Sequence, residues 1–294
     1  MSVPTYALIG WPLTFSLSPA IHGAAFRAAG VPGRYVLEPT PPHGLAAFVA
    51  GVRAGAWAGA NVTLPHKTAV RDLLDDESRL VAATGAVNTL LVSDGGVRGE
   101  NTDVAGCLHA LTALGAADGA GRPALVIGAG GAARAVVHAL LQRDYAVLVL
   151  SRRAARAAVV AGALARAWPG ARLGAGLLTA ERLTAEAERA RLLVHCTPLG
   201  AAGPDTSGRS VWPDHAPFPA HMAVLDLVTV PAPTCLVARA TAAGAPAAGG
   251  LDMLIGQAAE AWRLWTGVEP PLEAMTAAAR AAAARAAAVH TARS

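Results

Sequence analysis

Residues Ala124-Leu-Val-Ile-Gly-Ala-Gly-Gly-Ala-Ala-Arg134 constrain the fold more than any other stretch of this chain. An apolar run of the kind that fills a strand buried on both faces passes directly into three glycines and then into a helix-forming sequence. Glycine permits the tight turn and lets the backbone approach a pyrophosphate. The free N–H groups and positive dipole of the helix N-terminus receive its charge. A glycine-rich loop by itself is also an ordinary strand-to-helix turn. Strand, loop and helix in this order point to a dinucleotide-binding unit.

The next apolar run, Ala146–Leu150, carries information about which dinucleotide. An NAD site ends this strand on an acidic residue for the ribose diol. Here it ends in Ser151-Arg-Arg-Ala-Ala-Arg156. Guanidinium groups suit the 2′-phosphate of NADP. An arginine cluster is also a common solvated surface in a chain rich in arginine, but its position after the second strand favours NADP. A methyltransferase would likewise want an acid there for its ribose.

The length of 294 residues suits one large or two medium domains. In the first part, apolar strands Tyr6–Gly10, Tyr35–Glu38 and Ala58–Val62 alternate with helical stretches Pro19–Ala29, His43–Ala54 and His66–Leu74. Thr89–Val92 and Val97–Gly99 flank the turn Asp94-Gly95-Gly96, a hairpin signal. The second part has a helix Val104–Leu114, the strand and loop described above, a helix Ala132–Gln142, and strands at Ala146–Leu150, Leu192–His195 and Ala223–Leu227. Gly200–His221, rich in Pro, Gly, Asp and Ser, reads as a long loop over a cleft, and Asp252–Thr266 and Pro271–His290 read as helices. Alternation of strand and helix predicts an α/β chain with mainly parallel sheets.

Composition excludes several classes. Hydrophobic residues make up 53%, much of it alanine, and no run of about 18 uncharged apolar residues occurs. The N-terminal MSVPTYALIG has no basic region or cleavage site of a signal peptide. Cys107, Cys196 and Cys235 are widely spaced, which points to neither a metal cluster nor a disulfide framework and suits a reducing cytoplasm. The net charge of +4 is spread thinly, a poor basis for nucleic-acid binding. A cytoplasmic enzyme without membrane, metal or nucleic-acid partner is expected.

A sharper signal is that Lys67 is the chain's sole lysine among 24 basic residues, and that asparagine occurs only at Asn61, Asn88 and Asn101. A bias toward Ala, Gly, Pro and Arg removes Lys and Asn from indifferent positions, so the survivors mark places where chemistry asks for them. Arginine does not release its proton at neutral pH, whereas a lysine amine can be tuned to do so. All four residues fall in short polar clusters at strand ends: Asn61-Val-Thr63-Leu-Pro-His-Lys67, Gly85-Ala-Val-Asn88-Thr89 and Asn101-Thr102-Asp103, joined by Ser16-Leu-Ser18-Pro19. Hydroxyls, amides, one amine and one carboxylate suit a small polyol. Taken singly, each has a plain alternative: Ser16 or Ser18 as a helix N-cap, Asn88 and Asn101 as turn residues, Asp103 as the cap of the helix from Val104.

Taken together, the clusters resemble the shikimate dehydrogenase family over nearly the whole chain. The resemblance rests on Gly10-Trp-Pro12 with Ser16–Pro19, the segments ending in Lys67, Thr89 and Asp103, the Gly128–Arg134 loop, Ser151–Arg156, Cys196-Thr-Pro-Leu-Gly200, and Met253-Leu-Ile-Gly-Gln257 with Trp265-Thr-Gly267. It implies NADP-linked interconversion of 3-dehydroshikimate and shikimate, a step toward aromatic amino acids. It implies that Ser16 and Ser18 hold the substrate carboxylate, that Thr63, Asn88, Asp103 and Gln257 bind its hydroxyls, that Asn61 shapes the pocket, and that Lys67 and Asp103 are the catalytic pair. Gly128, Ala129, Gly130, Gly131, Ala132, Ser151, Arg152, Arg153, Arg156, Thr197, Leu227 and Gly250 are implied to bind the cofactor. The implied architecture is a substrate domain of residues 1–103 plus 252–294, a Rossmann-like NADP domain of 104–251, and a cleft between them, in a monomer or homodimer.

Some positions depart from the family pattern. Phe15 stands where histidine is common, Gly23 where asparagine is, His195 and Ala201 where asparagine and methionine are, and Thr229 where a tyrosine touches substrate. Thr229 keeps a hydroxyl on a shorter arm and so leaves open a quinate or aminoshikimate dehydrogenase. A ligand-sensing homologue without turnover is the alternative of another class; intact Lys67 and Asp103 argue against it.

Overall fold

The structure, a computed structural model, describes residues 3–93, 96–203 and 205–291. The chain divides into two compact units. One comprises the N-terminal residues through Gly106 together with Leu254–Ala282; the other comprises Cys107–Met253 and the residues from Ala283 onward.

The first unit is built on β1 (Thr5–Gly10), β2 (Arg34–Pro39), β3 (Gly59–Val62), β4 (Asp76–Glu77), β5 (Thr89–Ser93) and β6 (Gly96–Glu100), in the order β2-β1-β3-β5-β6-β4. β1 pairs in parallel with β2 and β3, whereas β5 runs antiparallel to both β3 and β6. Of the anticipated turn between β5 and β6, Asp94 and Gly95 lie outside the described residues. Ile9, Val49, Val52, Ala60, Val62, Val87, Leu90 and Val97 form a buried core with α2 (Leu45–Arg53). A separate aromatic cluster joins Tyr6, His22, Phe26 and Tyr35 to Trp262 and Trp265, with ring centroids 4.3–6.2 Å apart.

This topology gathers the polar clusters. A strand running antiparallel to β3 starts where β3 ends, and β6 ends where β5 starts. Asn61 pairs in register with Thr89, which pairs with Glu100. The ends of β3 and β6 and the start of β5 therefore share one sheet edge, with Ser16–Pro19 following the end of β1 directly into α1 (Ser18–Ala29).

One local expectation fails. His66–Leu74 is not an α-helix; turns follow Thr63, and only Ala69–Leu73 is a short 3-10 helix. The cause is competition for a carbonyl. His66 O accepts from Val70 N at 2.9 Å, but Lys67 O accepts from Val87 N at 2.7 Å, so it is engaged by the segment leading into β5 instead of continuing a helical ladder.

The second unit is a six-stranded parallel sheet of β7 (Pro123–Ile127), β8 (Ala146–Ser151), β9 (Leu173–Leu177), β10 (Leu192–His195), β11 (Ala223–Asp226) and β12 (Ala247–Gly249). Its order is β12-β11-β10-β7-β8-β9. The chain moves outward from β7 to β9, then returns to β10 on the other side of β7. That is the doubly wound order, and ligands in such sheets bind beyond the carboxyl ends of the strands where the winding reverses. Here that point lies between β7 and β10. No strand or helix interrupts the stretch from β10 to β11 among the described residues. It is nevertheless anchored: Trp212 is buried, donates from Nε1 to Ala216 O at 3.0 Å and packs on Phe218. Arg239 adds hydrogen bonds to the carbonyls of Pro213 and Ala216.

Candidate active site

Lys67 and Asp103 meet as an ion pair, Nζ donating to Oδ2, with side chains 13% and 7% exposed. Asp103 opens α4 (Asp103–Ala113), and its own N–H donates to Asn101 Oδ1 at 3.2 Å. The second carboxylate oxygen is also engaged, by Asn88 Nδ2 at 2.8 Å. Asn88 is oriented without ambiguity, because its Oδ1 accepts the backbone N–H of Thr102 at 2.7 Å. Asn88 thus fixes the carboxylate rotamer and leaves Oδ2 for the amine.

From Asn88 the network runs through Thr89 and Thr102, whose hydroxyls are 3.2 Å apart, to Asn61, which donates to Thr89 Oγ1 at 3.0 Å. Tyr35 donates to Asn61 Oδ1 at 2.7 Å. Burial pushes the Tyr35 phenol above its ordinary range, with the Ser18 hydroxyl opposing. Ser16 Oγ donates to Ser18 Oγ at 3.2 Å. The N-cap position of α1 is Leu17, which makes no side-chain bond, and Ser16 Oγ accepts the N–H of Ser18, the first helical residue, at 3.1 Å. A buried polar chain of this kind rigidifies its members when each is satisfied. It adds five residues to the Lys67–Asp103 pair, of which Tyr35, Thr89 and Thr102 carry no site role in the sequence reading. Thr89 and Thr102 lie within the polar segments that signal the site; Tyr35 is part of a strand pattern that reads as core.

Other expected residues stand apart from this network. Thr63 is half-buried beside Gly10, and its backbone N–H extends the pairing of β3 with β1 through Ile9 O. Gln257, on α9 (Leu251–Thr266), is buried and donates to Leu254 O at 2.9 Å. Thr229 belongs to the second unit, half-buried in the loop after β11.

At the end of β7 the residues present fit a dinucleotide. Gly128 has φ +121°, and a Cβ there would meet Thr197 Cγ2 at 3.1 Å. At Gly130 a Cβ would meet nothing within 4 Å, so this glycine leaves open space instead of relieving an internal clash. Gly130 is the N-cap of α5 (Gly131–Gln142) and supplies no side-chain bond, which leaves the helix N-terminus available to an anion. Beyond β8, Ser151 Oγ accepts from Arg153 N at 3.4 Å, and Arg152, Arg153 and Arg156 are exposed. Among the described residues none of these three arginines forms an ion pair. Gly250 is required by packing, since a Cβ would stand 2.2 Å from Leu227 O. Gly250→Ala must displace the backbone of Leu227, and a loss of about 1–3 kcal/mol in stability is expected; urea denaturation checks it, and an unchanged midpoint would refute the contact.

Over 276 residues the chain is 44% identical to a shikimate dehydrogenase (NADP(+)) of Salinibacter ruber, spanning 93% of this chain and 96% of that one. The chain belongs to the shikimate dehydrogenase family. The shikimate dehydrogenase substrate-binding-domain model matches residues 8–90, a range containing Ser16, Ser18, Asn61, Thr63, Lys67 and Asn88. The C-terminal-domain model of shikimate 5'-dehydrogenase matches residues 250–280, with Gly250 and Gln257. Asp103 and the Gly128–Gly131 loop fall outside both segments. Among solved members, the shikimate 5-dehydrogenase of Thermus thermophilus, in complex with NADP(H) and shikimate, superimposes with a TM-score of 0.81 at 39% identity, covering 95% of this chain and 99% of that one. A quinate dehydrogenase of Corynebacterium glutamicum, in complex with NAD, gives 0.83 at 28% identity, over 95% and 99% of the two chains.

Proposed function

We propose that this chain catalyses the NADP-linked, reversible reduction of 3-dehydroshikimate to shikimate, in the route to aromatic amino acids. The observation that carries the reading is the buried Lys67–Asp103 pair, held by Asn88 in a polar network that runs through Thr89 and Asn61 to Tyr35. The first unit, with its serine, asparagine and threonine groups, is the substrate-binding part, and the second holds the cofactor. No helix among the described residues is long and apolar enough to cross a membrane. A cytoplasmic location is part of the proposal, supported by the wide spacing of the three cysteines in the sequence.

NADP, when bound, supplies and accepts the hydride. Everything else falls to side chains. Ser16 and Ser18 offer hydroxyl donors to a carboxylate. Thr63, Asn88, Asp103 and Gln257 bind and orient ring hydroxyls, and Asn61 shapes the pocket. In reduction, Lys67 Nζ gives a proton to the developing alkoxide oxygen; in oxidation it takes the proton back. Asp103 Oδ2 orients the amine, while Asn88 holds the carboxylate in place. Around the cofactor, Gly128, Ala129, Gly130, Gly131 and Ala132 receive the pyrophosphate, Ser151, Arg152, Arg153 and Arg156 the 2′-phosphate, and Thr197, Leu227 and Gly250 line the remainder.

The test is NADP⁺ reduction with shikimate, repeated with NAD⁺ and with quinate, followed as reduced-cofactor absorbance. Turnover highest for shikimate with NADP⁺ is expected. Preference for quinate, or no turnover at all, would overturn the assignment. The arginine cluster has its own check. Arg152→Ala is expected to raise KM for NADP by about tenfold, the worth of a charge-assisted hydrogen bond, and to leave that for NAD nearly unchanged. Equal losses for both cofactors would remove the 2′-phosphate role.

A further inference from the structure

β10 ends on His195 and β11 on Asp226, paired in register, and each is 1% exposed. Asp226 is a fully engaged group. Its Oδ1 accepts from Val228 N at 3.2 Å, its Oδ2 accepts from the Thr234 hydroxyl at 2.7 Å, and His195 Nδ1 lies 2.9 Å from Oδ1. A carboxylate only accepts, so Nδ1 carries the hydrogen. In the neutral ring Nε2 is then an acceptor, and the group facing it at 2.6 Å is the Thr197 hydroxyl. Thr197 therefore directs its hydrogen inward to His195. Its oxygen also accepts from Leu199 N at 3.3 Å. What Thr197 offers outward is a lone pair.

Thr197 is half-buried beside Gly128, the first glycine of the dinucleotide loop, where the winding of the sheet reverses. We propose that His195 is a positioning residue: gripped by Asp226, it sets the Thr197 hydroxyl as a hydrogen-bond acceptor for an O–H or N–H donor of the bound dinucleotide. A phosphate oxygen does not fit this position, because it would face another lone pair. The second unit thereby gains a polar contact whose direction is set two residues away. The proposal rests on the reading of this unit as the NADP-binding one.

The test is calorimetric titration of NADP into the wild type, Thr197→Val, His195→Ala and the double variant, without substrate. Loss of one hydrogen bond weakens NADP about five- to tenfold in Thr197→Val. His195→Ala is expected to weaken it similarly, and to add little in the Thr197→Val background, since both remove the same contact. Adenosine 2′,5′-bisphosphate locates the donor: weakened along with NADP, it places the donor on the adenosine half; unweakened, on the nicotinamide half. Nitrogen-15 NMR of the wild type reports the tautomer directly and does not depend on a variant's folding. A hydrogen on Nε2 instead of Nδ1, unchanged affinity in Thr197→Val, or additive losses in the double variant would each overturn the proposal. Failure of the wild type to bind NADP would instead sink the cofactor reading beneath it.

Discussion

Lys67→Arg is expected to lower kcat about 10²–10⁴-fold, the usual contribution of a general acid–base group, while calorimetric affinities for NADP and shikimate change far less. The substitution keeps the positive charge and its partner Asp103. What it removes is a group able to give up a proton near neutral pH. A purely structural cation would tolerate the exchange, and this chain uses arginine at its other 23 basic positions. Lys67 is also mostly buried and paired with a carboxylate whose other oxygen is committed to Asn88, so its environment is built around one geometry. Steady-state kinetics in both directions decide the matter. Near-wild-type turnover in the arginine variant would remove Lys67 from proton transfer.

Acid should destabilise the first unit through His22. This ring is fully buried, stacked on Tyr35 at 4.3 Å, and neither nitrogen has a hydrogen-bond partner among the described residues. Burial disfavours the imidazolium and pushes its pKa from 6.5 down to about 3. Between these values the unfolded chain binds a proton that the folded chain refuses. The stabilisation is therefore complete above pH 6.5 and is lost as pH falls toward 3. The slope is about 1.4 kcal/mol per pH unit, a large share of the stability of an ordinary domain. His22→Leu deletes the titrating group, so its unfolding free energy should fall less steeply over this window. Chemical denaturation of both proteins at pH 7, 6, 5 and 4 compares them, and parallel curves would refute the claim.

Which parts of this were legible in the sequence follows from the range of the forces involved. β7, the glycine loop and α5 are local, set by apolar run, glycine and helix former in immediate succession, and they read directly. The arginines after β8 were legible by their position, and the lone lysine because composition made it an exception. The 3-10 turn after Lys67 was not, because the decisive hydrogen bond comes from Val87, distant in sequence. The short strands β9 and β12, weakly apolar and containing glycine, carry too little periodicity to stand out. In the candidate site, each polar cluster could be named, but not the order of its hydrogen bonds. Tyr35 and Thr89 join it only through cross-strand register, and the His195–Asp226 pair only through the neighbouring of β10 and β11.

The interrupted course of the first unit has a consequence for how the polypeptide is made. The aromatic cluster of Tyr6, His22, Phe26 and Tyr35 is completed by Trp262 and Trp265, which emerge from the ribosome only after all of Cys107–Met253 has been synthesised. Translation proceeds at about 5–20 residues per second. The nascent first unit therefore waits many seconds with an open hydrophobic face, while the inserted parallel sheet already has all six of its strands. The order of folding can thus depart from the order of synthesis: the middle of the gene product can close first, and the N-terminal segment through Gly106 stays incomplete until its two tryptophans arrive.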